Sequence, residues 1–170
     1  MSSPTSPKLA EVAGLSPQVE ALLVAHHVLM RAQSPEESCH VMTGEALQAE
    51  GARVFALSEE EEGTILAVGA LKTVAESAAP MSLAGRGPVV ELKSMHVAAA
   101  ARGRGLGHVL LSGMLDMARA AGAGGACLET GTEPAFDAAR ALYLSQGFAP
   151  CPPFGDYRLD PLSVFMCRAL

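Results

Sequence analysis

The chain has 170 residues, of which 49% are hydrophobic, and this predicts a single domain with a sizeable core. A formal net charge of −6, with two tyrosines, five phenylalanines and no tryptophan, argues against a nucleic-acid-binding surface, which needs a basic face and often stacking aromatic side chains. A cationic or neutral small substrate fits this charge better.

The four cysteines, Cys39, Cys127, Cys151 and Cys167, are scattered along the chain without a C-x-x-C motif. They predict free thiols rather than a disulfide framework or a zinc site, and we expect no metal. The first residues, MSSPTSP, lack the apolar core of a secretory signal, and no apolar run is long enough to cross a bilayer. The sequence therefore predicts a cytoplasmic protein with neither a membrane nor a nucleic acid as partner.

The amino-terminal third predicts a tail followed by helices. Residues 1–7 are expected to form a disordered tail, and residues 8–170 a single domain with no internal repeat. Ser16-Pro17 predicts the start of a first helix and Ser34-Pro35 the start of a second, because serine caps helix amino termini and proline suits the first helical turn.

A hairpin is predicted next. Arg53 to Ser58 and Thr64 to Val74 have the composition of paired strands, joined by a turn made of the acidic run Glu59–Glu62 and Gly63. The charge run is expected to be solvated. The segment from Ala75 to Pro88 is rich in Ala, Gly, Ser and Pro and predicts a mobile loop, whose motion could gate a site.

The strand that follows this loop changes phase within its length. Its apolar residues alternate at Val90 and Leu92 and then reappear out of phase at Met95 and Val97, so the alternation slips by one near Ser94. Such a slip predicts a β-bulge. A bulge would splay the strand from its neighbour and leave backbone groups free to bind an extended, amide-bearing ligand such as pantetheine.

A glycine-rich turn connects this strand to a helix. Arg102, Gly103, Arg104, Gly105 and Gly107 leave the backbone nearly bare where the first unpaired N–H groups of the helix point outward. The helix dipole, those amides and the two arginines all favour an anion, and a pyrophosphate in particular.

The helix after the turn is predicted to end at Gly122 and to pack on the sheet through one apolar stripe. That stripe contains Leu106, Val109, Leu110, Gly113, Met114, Met117 and Ala121.

Two other nucleotide-binding motifs compete for the same glycines. A P-loop is excluded because Gly107 is followed by His108 and Val109 rather than by Lys and Ser/Thr. A dinucleotide-binding motif gains support from Glu129, which ends a predicted strand at Gly125 to Thr130. However, the spacing is G-x-G-x-G, and the glycines lie too far along the chain for a doubly wound sheet. This interpretation ranks third.

The pattern Arg102-x-x-Gly105-x-Gly107 after a bulged strand resembles the acetyl-CoA motif of the GCN5-related N-acetyltransferases, the GNAT superfamily. Downstream, Ala141-Leu142-Tyr143 through Gly147-Phe148 resembles that family's A-x-x-L-Y-x-x-x-G-F signature, in which the tyrosine faces the cofactor sulfur. The resemblance covers roughly 89–148. It implies an α/β fold in which a mixed, mostly antiparallel sheet is splayed at a bulge and flanked by helices.

Further segments resemble a small bacterial branch of this superfamily whose members are sometimes labelled indoleacetate acetyltransferases. These segments are Pro35 to His40, Glu129 to Gly131, Pro153 to Tyr157, Asp160, and Ser163 to Met166.

The resemblance implies an enzyme that moves an acetyl group from acetyl-CoA to a primary amine of a small molecule or peptide by direct attack on the thioester. The position of Glu91 in the bulged strand resembles that of the family's general base, which acts through water. A purely structural role, in which a strand-end glutamate pairs with Lys93 or with the cation of a neighbour, is equally supported. The backbone amide of Val97 would donate to the developing oxyanion, and Tyr143 would act as general acid. The implied CoA site comprises Met95, His96, Val97, Arg102, Gly103, Arg104, Gly105, Leu106, Gly107, His108, Phe136, Ala139 and Tyr143.

Five polar residues are candidates for an acceptor pocket: Ser38, His40, Glu129, Asp156 and Tyr157. They come from three distant segments that the fold would bring together, and Glu129 is also an alternative general base. Two acids suit a cationic amine.

A non-catalytic acyl-CoA-binding or sensing domain is the alternative function. Such a domain would keep the arginine and glycine turn but would need neither Glu91 nor Tyr143, so their joint presence favours catalysis. A homodimer is possible for this fold.

Overall fold

The structure, a computed structural model, describes residues 6–60 and 63–170. The helices are α1 (Pro17–Gln33), α2 (Gly44–Ala49), α3 (Leu106–Ala120) and α4 (Asp137–Ser145). The strands are β1 (Lys8–Val12), β2 (Arg53–Ser58), β3 (Ile65–Val74), β4 (Val89–Val97), β5 (Gly125–Gly131), β6 (Ala149–Pro150) and β7 (Ser163–Ala169). Most of the predicted tail, and part of the acidic turn, lie outside the described residues.

All seven strands form one sheet in the order β1-β2-β3-β4-β5-β7-β6. Every neighbouring pair is antiparallel except β4 and β5, which are parallel. The predicted mixed, mostly antiparallel sheet is therefore confirmed. The edge strand β1 was not predicted, since five residues with the sequence KLAEV carry little periodic signal.

Helices cover both faces of the sheet. Val19 and Leu23 of α1 pack with Leu47 of α2 against one face. Leu110 and Met114 of α3 are completely buried against the other face. No helix within the described ranges is both long and apolar enough to cross a membrane.

The helix predicted directly after Ser34-Pro35 is wrong. The segment forms only a 3-10 turn at Glu36–Ser38, where no side chain caps the helix start. The α-helix begins later, where the Thr43 side chain accepts a hydrogen bond of 3.1 Å from the Ala46 amide. A capping oxygen thus decides where the helix begins.

The apolar stripe predicted for α3 is only partly right. Val109 is 40% exposed, whereas Leu111, Leu115 and Ala118 are buried although they were not predicted to be. The buried face of α3 is centred on Leu110 and Met114, so it is rotated toward these three residues relative to the predicted stripe. The segment between β3 and β4 likewise differs from an open loop, since it contains two 3-10 turns and buries its Leu83 side chain.

Candidate active site

The predicted bulge lies in β4. Between Lys93 and His96 the register against β3 shifts by one residue, so that Ser94 and Met95 together oppose Gly69. Ser94 adopts φ 54°, a left-handed conformation that costs energy for any residue with a side chain. The slip predicted near Ser94 is therefore confirmed, and it changes the direction of the strand.

A gap opens between the carboxyl-terminal parts of β4 and β5, beyond the segment in which the two strands are paired. The two strands pair only from Val89 to Glu91, opposite Gly125 to Cys127. Beyond Glu91 and Cys127 the pairing ends although both strands continue. The edge of β4 is therefore open along its carboxyl-terminal half.

The backbone of Val97 faces this gap. The Ala98 amide donates to Leu66 O at 2.8 Å, and residues of an antiparallel ladder alternate between groups that point toward and away from the partner. Val97, one residue earlier, therefore points its N–H and C=O away from β3. Consistent with this, its carbonyl accepts a hydrogen bond from Arg102 Nε at 3.3 Å.

The glycine turn presents an open backbone at the start of α3. Gly103 and Gly105 have φ 77° and 73°, and no atom lies within 4 Å of the position that a Cβ would take at either residue. Within the described part of the chain, no amide from Gly103 to His108 donates to a backbone acceptor. Free amides, open space and the positive end of a helix dipole fit a pyrophosphate.

Some side chains near the turn already have partners. Arg104 contacts Glu59 Oε1 at 3.4 Å, and the His108 ring contacts Gln146 Nε2 at 2.8 Å. Leu106 is 4% exposed, so only its backbone amide is left to reach a phosphate.

A cavity of about 150 Å³ lies at the gap. The predicted site residues that line it are Ser38, His40, Glu91, Met95, Glu129, Phe136, Ala139, Tyr143 and Tyr157. Five separated parts of the chain thus meet here: the segment after α1, strand β4, strand β5, helix α4 with the turn before it, and the late loop. His26, which no motif marked, also lines the cavity.

Two of the predicted site residues, Asp156 and His96, do not line this cavity. Asp156 borders a neighbouring cavity of about 900 Å³ and does not line the smaller one, because the loop directs Tyr157 inward instead. The His96 side chain is buried against the His26 ring, with ring centroids 5.3 Å apart. His96 lies two residues before Ala98 in the same ladder and pairs with Val68, so its backbone N–H and C=O point toward β3 rather than into the gap.

A polar cluster closes one end of the cavity. The Tyr157 hydroxyl donates to Glu91 Oε1 at 2.6 Å. Lys93 Nζ donates to the same hydroxyl at 3.2 Å and lies 3.4 Å from Glu91 Oε1. Burial, and then the charge of Glu91, raise the pKa of Tyr157. The His40 ring packs edge-on against Tyr157, with ring centroids 5.0 Å apart.

Glu129 has a different environment. Its Oε1 accepts a hydrogen bond of 2.8 Å from Ser163 Oγ. Burial raises the pKa of Glu129, although this hydrogen bond acts in the opposite direction. Burial and the nearby Glu129 charge raise the pKa of Tyr143 to about 12, so the phenol is protonated at neutral pH.

A turn with free amides, an open strand edge and a cavity lined by a protonated tyrosine are the features expected of an acyltransferase site. The acetyltransferase (GNAT) family model matches residues 22–148. The chain is therefore a member of the GNAT acetyltransferase family, whose acyl donor is acetyl-CoA.

Similar proteins agree with this membership. The uncharacterized N-acetyltransferase YedL of Escherichia coli K12 is 36% identical over 91% of this chain and 89% of its own length. The IAA acetyltransferase of Azospirillum brasilense is 39% identical over 80% of each chain. The structure of Arabidopsis thaliana NAA60 in complex with acetyl-CoA superimposes with a TM-score of 0.67 over 97% of this chain and 99% of that one. Its sequence identity is 15%, so this likeness concerns the fold alone.

Proposed function

We propose that the protein transfers the acetyl group of acetyl-CoA to a primary amine of a small molecule or peptide. The observation that carries this proposal is the single gap between β4 and β5. The gap borders a cavity lined by Tyr143 and the two carboxylates Glu91 and Glu129, and the glycine turn follows the open end of β4.

The donor half of the site consists mainly of backbone. The amides of 103–108 would hold the pyrophosphate, and the open edge of β4 from Met95 to Val97 would pair with the pantetheine amides. When bound, acetyl-CoA supplies an activated acyl group and a thiol leaving group. Since the side chains of Gly103 and Gly105 are absent, nothing in the turn blocks close approach of phosphates.

Three functions are needed around the acetyl group, and the site offers a residue for each. The Val97 amide faces the gap and would donate a hydrogen bond to the acetyl oxygen. Tyr143, protonated at neutral pH, would give its proton to the sulfur. A carboxylate, Glu91 or Glu129, would accept the proton that the amine loses.

The acceptor half is formed by side chains. Ser38, His40, Glu129 and Tyr157 line the cavity at the gap. Carboxylates in a partly buried cavity attract a cationic ammonium group and disfavour an anionic one. We therefore propose an amine acceptor that enters from the side of His40 and Tyr157.

The direct test is a panel of amines incubated with acetyl-CoA and the protein. Release of CoA thiol is followed by absorbance, and the product is identified by mass spectrometry. We expect one N-acetylated amine for each CoA released. If calorimetry shows acetyl-CoA binding while no amine yields product, the protein is an acyl-CoA-binding or sensing domain instead.

A further inference from the structure

We infer that Glu129 accepts the proton from the attacking amine, and that Glu91 is a positioning residue held by Tyr157 and Lys93. This inference rests on the proposed function and assigns roles within the same site. It starts from the position of the two carboxylates along the gap.

Glu129 lies nearer to the reacting end of the gap. Glu91 is in the last residue pair of the parallel ladder, opposite Cys127, where the two strands are still joined. Glu129 follows Cys127 by two residues and is therefore on the same face of the sheet, displaced by about 7 Å in the direction of the open end. The amide of Val97 also points into that open part of the gap.

Glu91 already has compensating partners. Its Oε1 accepts the hydroxyl proton of Tyr157 at 2.6 Å and has Lys93 Nζ at 3.4 Å. The side chains of Glu91 and Lys93 are only 9% and 13% exposed. A proton placed on this oxygen would break the contact with Tyr157 and leave a nearly buried ammonium without its counter-charge. This arrangement suits a fixed carboxylate that orients Tyr157.

Glu129 has weaker compensation, because the charges of His40 and Lys93 act on it without forming a direct ion pair. It has one hydrogen-bond donor, Ser163, and no ion pair with any described residue. Its second oxygen, Oε2, has no hydrogen-bond partner in the described part of the chain, and it is accessible to solvent. Because Glu129 lines the cavity, this oxygen is free to receive a proton from a bound amine.

Glu129 is also close to the proposed acid. After burial, the charge of Glu129 is the second cause that raises the pKa of Tyr143. The bound ammonium would first lose one proton to solvent, and Glu129 would then take a proton from the neutral amine as its nitrogen lone pair forms the bond to the acetyl carbon. Tyr143 would protonate the sulfur, which leaves with the electron pair of the broken carbon–sulfur bond. The two residues thus serve opposite ends of one transfer.

Several charged and titratable groups face Glu129 from the elements packed against it. They are Glu91 and Lys93 of β4, His40 of the segment after α1, Tyr143 of α4, and Tyr157 of the late loop. Burial outweighs the cations and raises the pKa of Glu129. The base form is the carboxylate, so activity should rise with pH through this raised pKa.

The two carboxylates can be compared with matched isosteric variants, Glu129→Gln and Glu91→Gln. We expect Glu129→Gln to lower kcat by about a hundredfold or more and to abolish the acidic limb of the pH profile. Glu91→Gln should lower kcat by less than about tenfold, keep that limb and raise the acceptor KM. The Kd of acetyl-CoA, measured by calorimetry, should stay unchanged in both. If the acidic limb instead persists in Glu129→Gln and disappears in Glu91→Gln, the inference is overturned.

Glu91→Gln leaves Lys93 without a counter-charge and is at risk of unfolding. If Glu91→Gln does not fold, Tyr157→Phe is measured in its place, because this variant removes only the hydroxyl that holds Glu91. The acidic limb must persist in Tyr157→Phe, and its loss would contradict the role given to Glu129.

A second measurement needs no turnover. Carboxyl carbons of the glutamates are followed by nuclear magnetic resonance as a function of pH, and the Glu129 signal is assigned from its loss in Glu129→Gln. It should titrate above the ordinary range of glutamate, and titration within or below that range would overturn the inference. Since no acceptor is present, this result is distinct from failure of the amine panel, which would refute only the proposed function.

Discussion

Arg102 Nε donates a hydrogen bond of 3.3 Å to the backbone carbonyl of Val97, and this contact links the glycine turn to the strand edge that faces the gap. The turn would hold phosphates, and the edge carries the amide proposed to polarise the acetyl group. Their separation is therefore set by β4, the Ala99–Ala101 3-10 turn and this one guanidinium.

The first prediction concerns Gly105. Its φ of 73° and the open space at its Cβ position allow a phosphate to approach the backbone. Gly105→Leu should therefore weaken CoA binding at least tenfold, or about 1.4 kcal/mol, as measured by calorimetry.

Gly51→Leu is the matched control for Gly105→Leu. Gly51 has φ 72° and equally open surroundings but lies in a turn after α2. Both variants should lose similar stability on heating, since both force a side chain into the left-handed region. Equal CoA affinities in the two variants would show that the turn after β4 does not bind the cofactor.

The bulge and the glycine turn, which form the proposed donor half, were predictable because their signals are local. The bulge changes the phase of apolar residues within one strand, from Leu92 to Met95, and the turn concentrates glycines before a helix. Each feature is determined by neighbours in sequence. The positions of Ser94 and Gly105 therefore follow from the sequence alone.

The acceptor half depends on contacts that leave no local pattern. The hydrogen bond from Tyr157 to Glu91 joins residues 66 positions apart, and it depends on the path of a loop rich in proline and glycine. Similarly, Asp156 and Tyr157 are adjacent in sequence and both border the larger cavity, but only Tyr157 also lines the smaller one. The sequence predicted which residues gather in this region but not which contacts form among them.

The second prediction concerns Tyr143. Tyr143→Phe keeps the ring, which packs edge-on against Phe148 at 6.0 Å, and removes the proton that would reach the sulfur. We expect kcat to fall roughly ten- to a hundredfold while the Kd of acetyl-CoA changes little. An unchanged kcat, under conditions where chemistry limits the rate, would assign Tyr143 to packing alone.

The third prediction concerns the ion pair between Arg104 and Glu59. Both side chains are 49% exposed, so the pair is weak, but it competes with a phosphate for the guanidinium. Glu59→Gln should tighten CoA binding by about threefold at most, and the gain should shrink at high salt. Asp116→Asn removes an equal charge from the Arg119 pair on α3 and should leave CoA affinity unchanged. Equal effects of the two variants would indicate a general change in protein charge.

The fourth prediction concerns His40, which lines both cavities and contacts the Tyr157 ring edge-on at 5.0 Å. His40→Ala removes one wall of the proposed acceptor entrance and the aromatic contact that holds Tyr157. The acceptor KM should therefore rise by about tenfold, while the Kd of acetyl-CoA stays unchanged because the donor half lies on the other side of the gap. His27→Ala is the control, since His27 lines neither cavity. If both histidine variants raise the acceptor KM equally, the entrance does not lie beside His40, and the amine must enter the gap by another route.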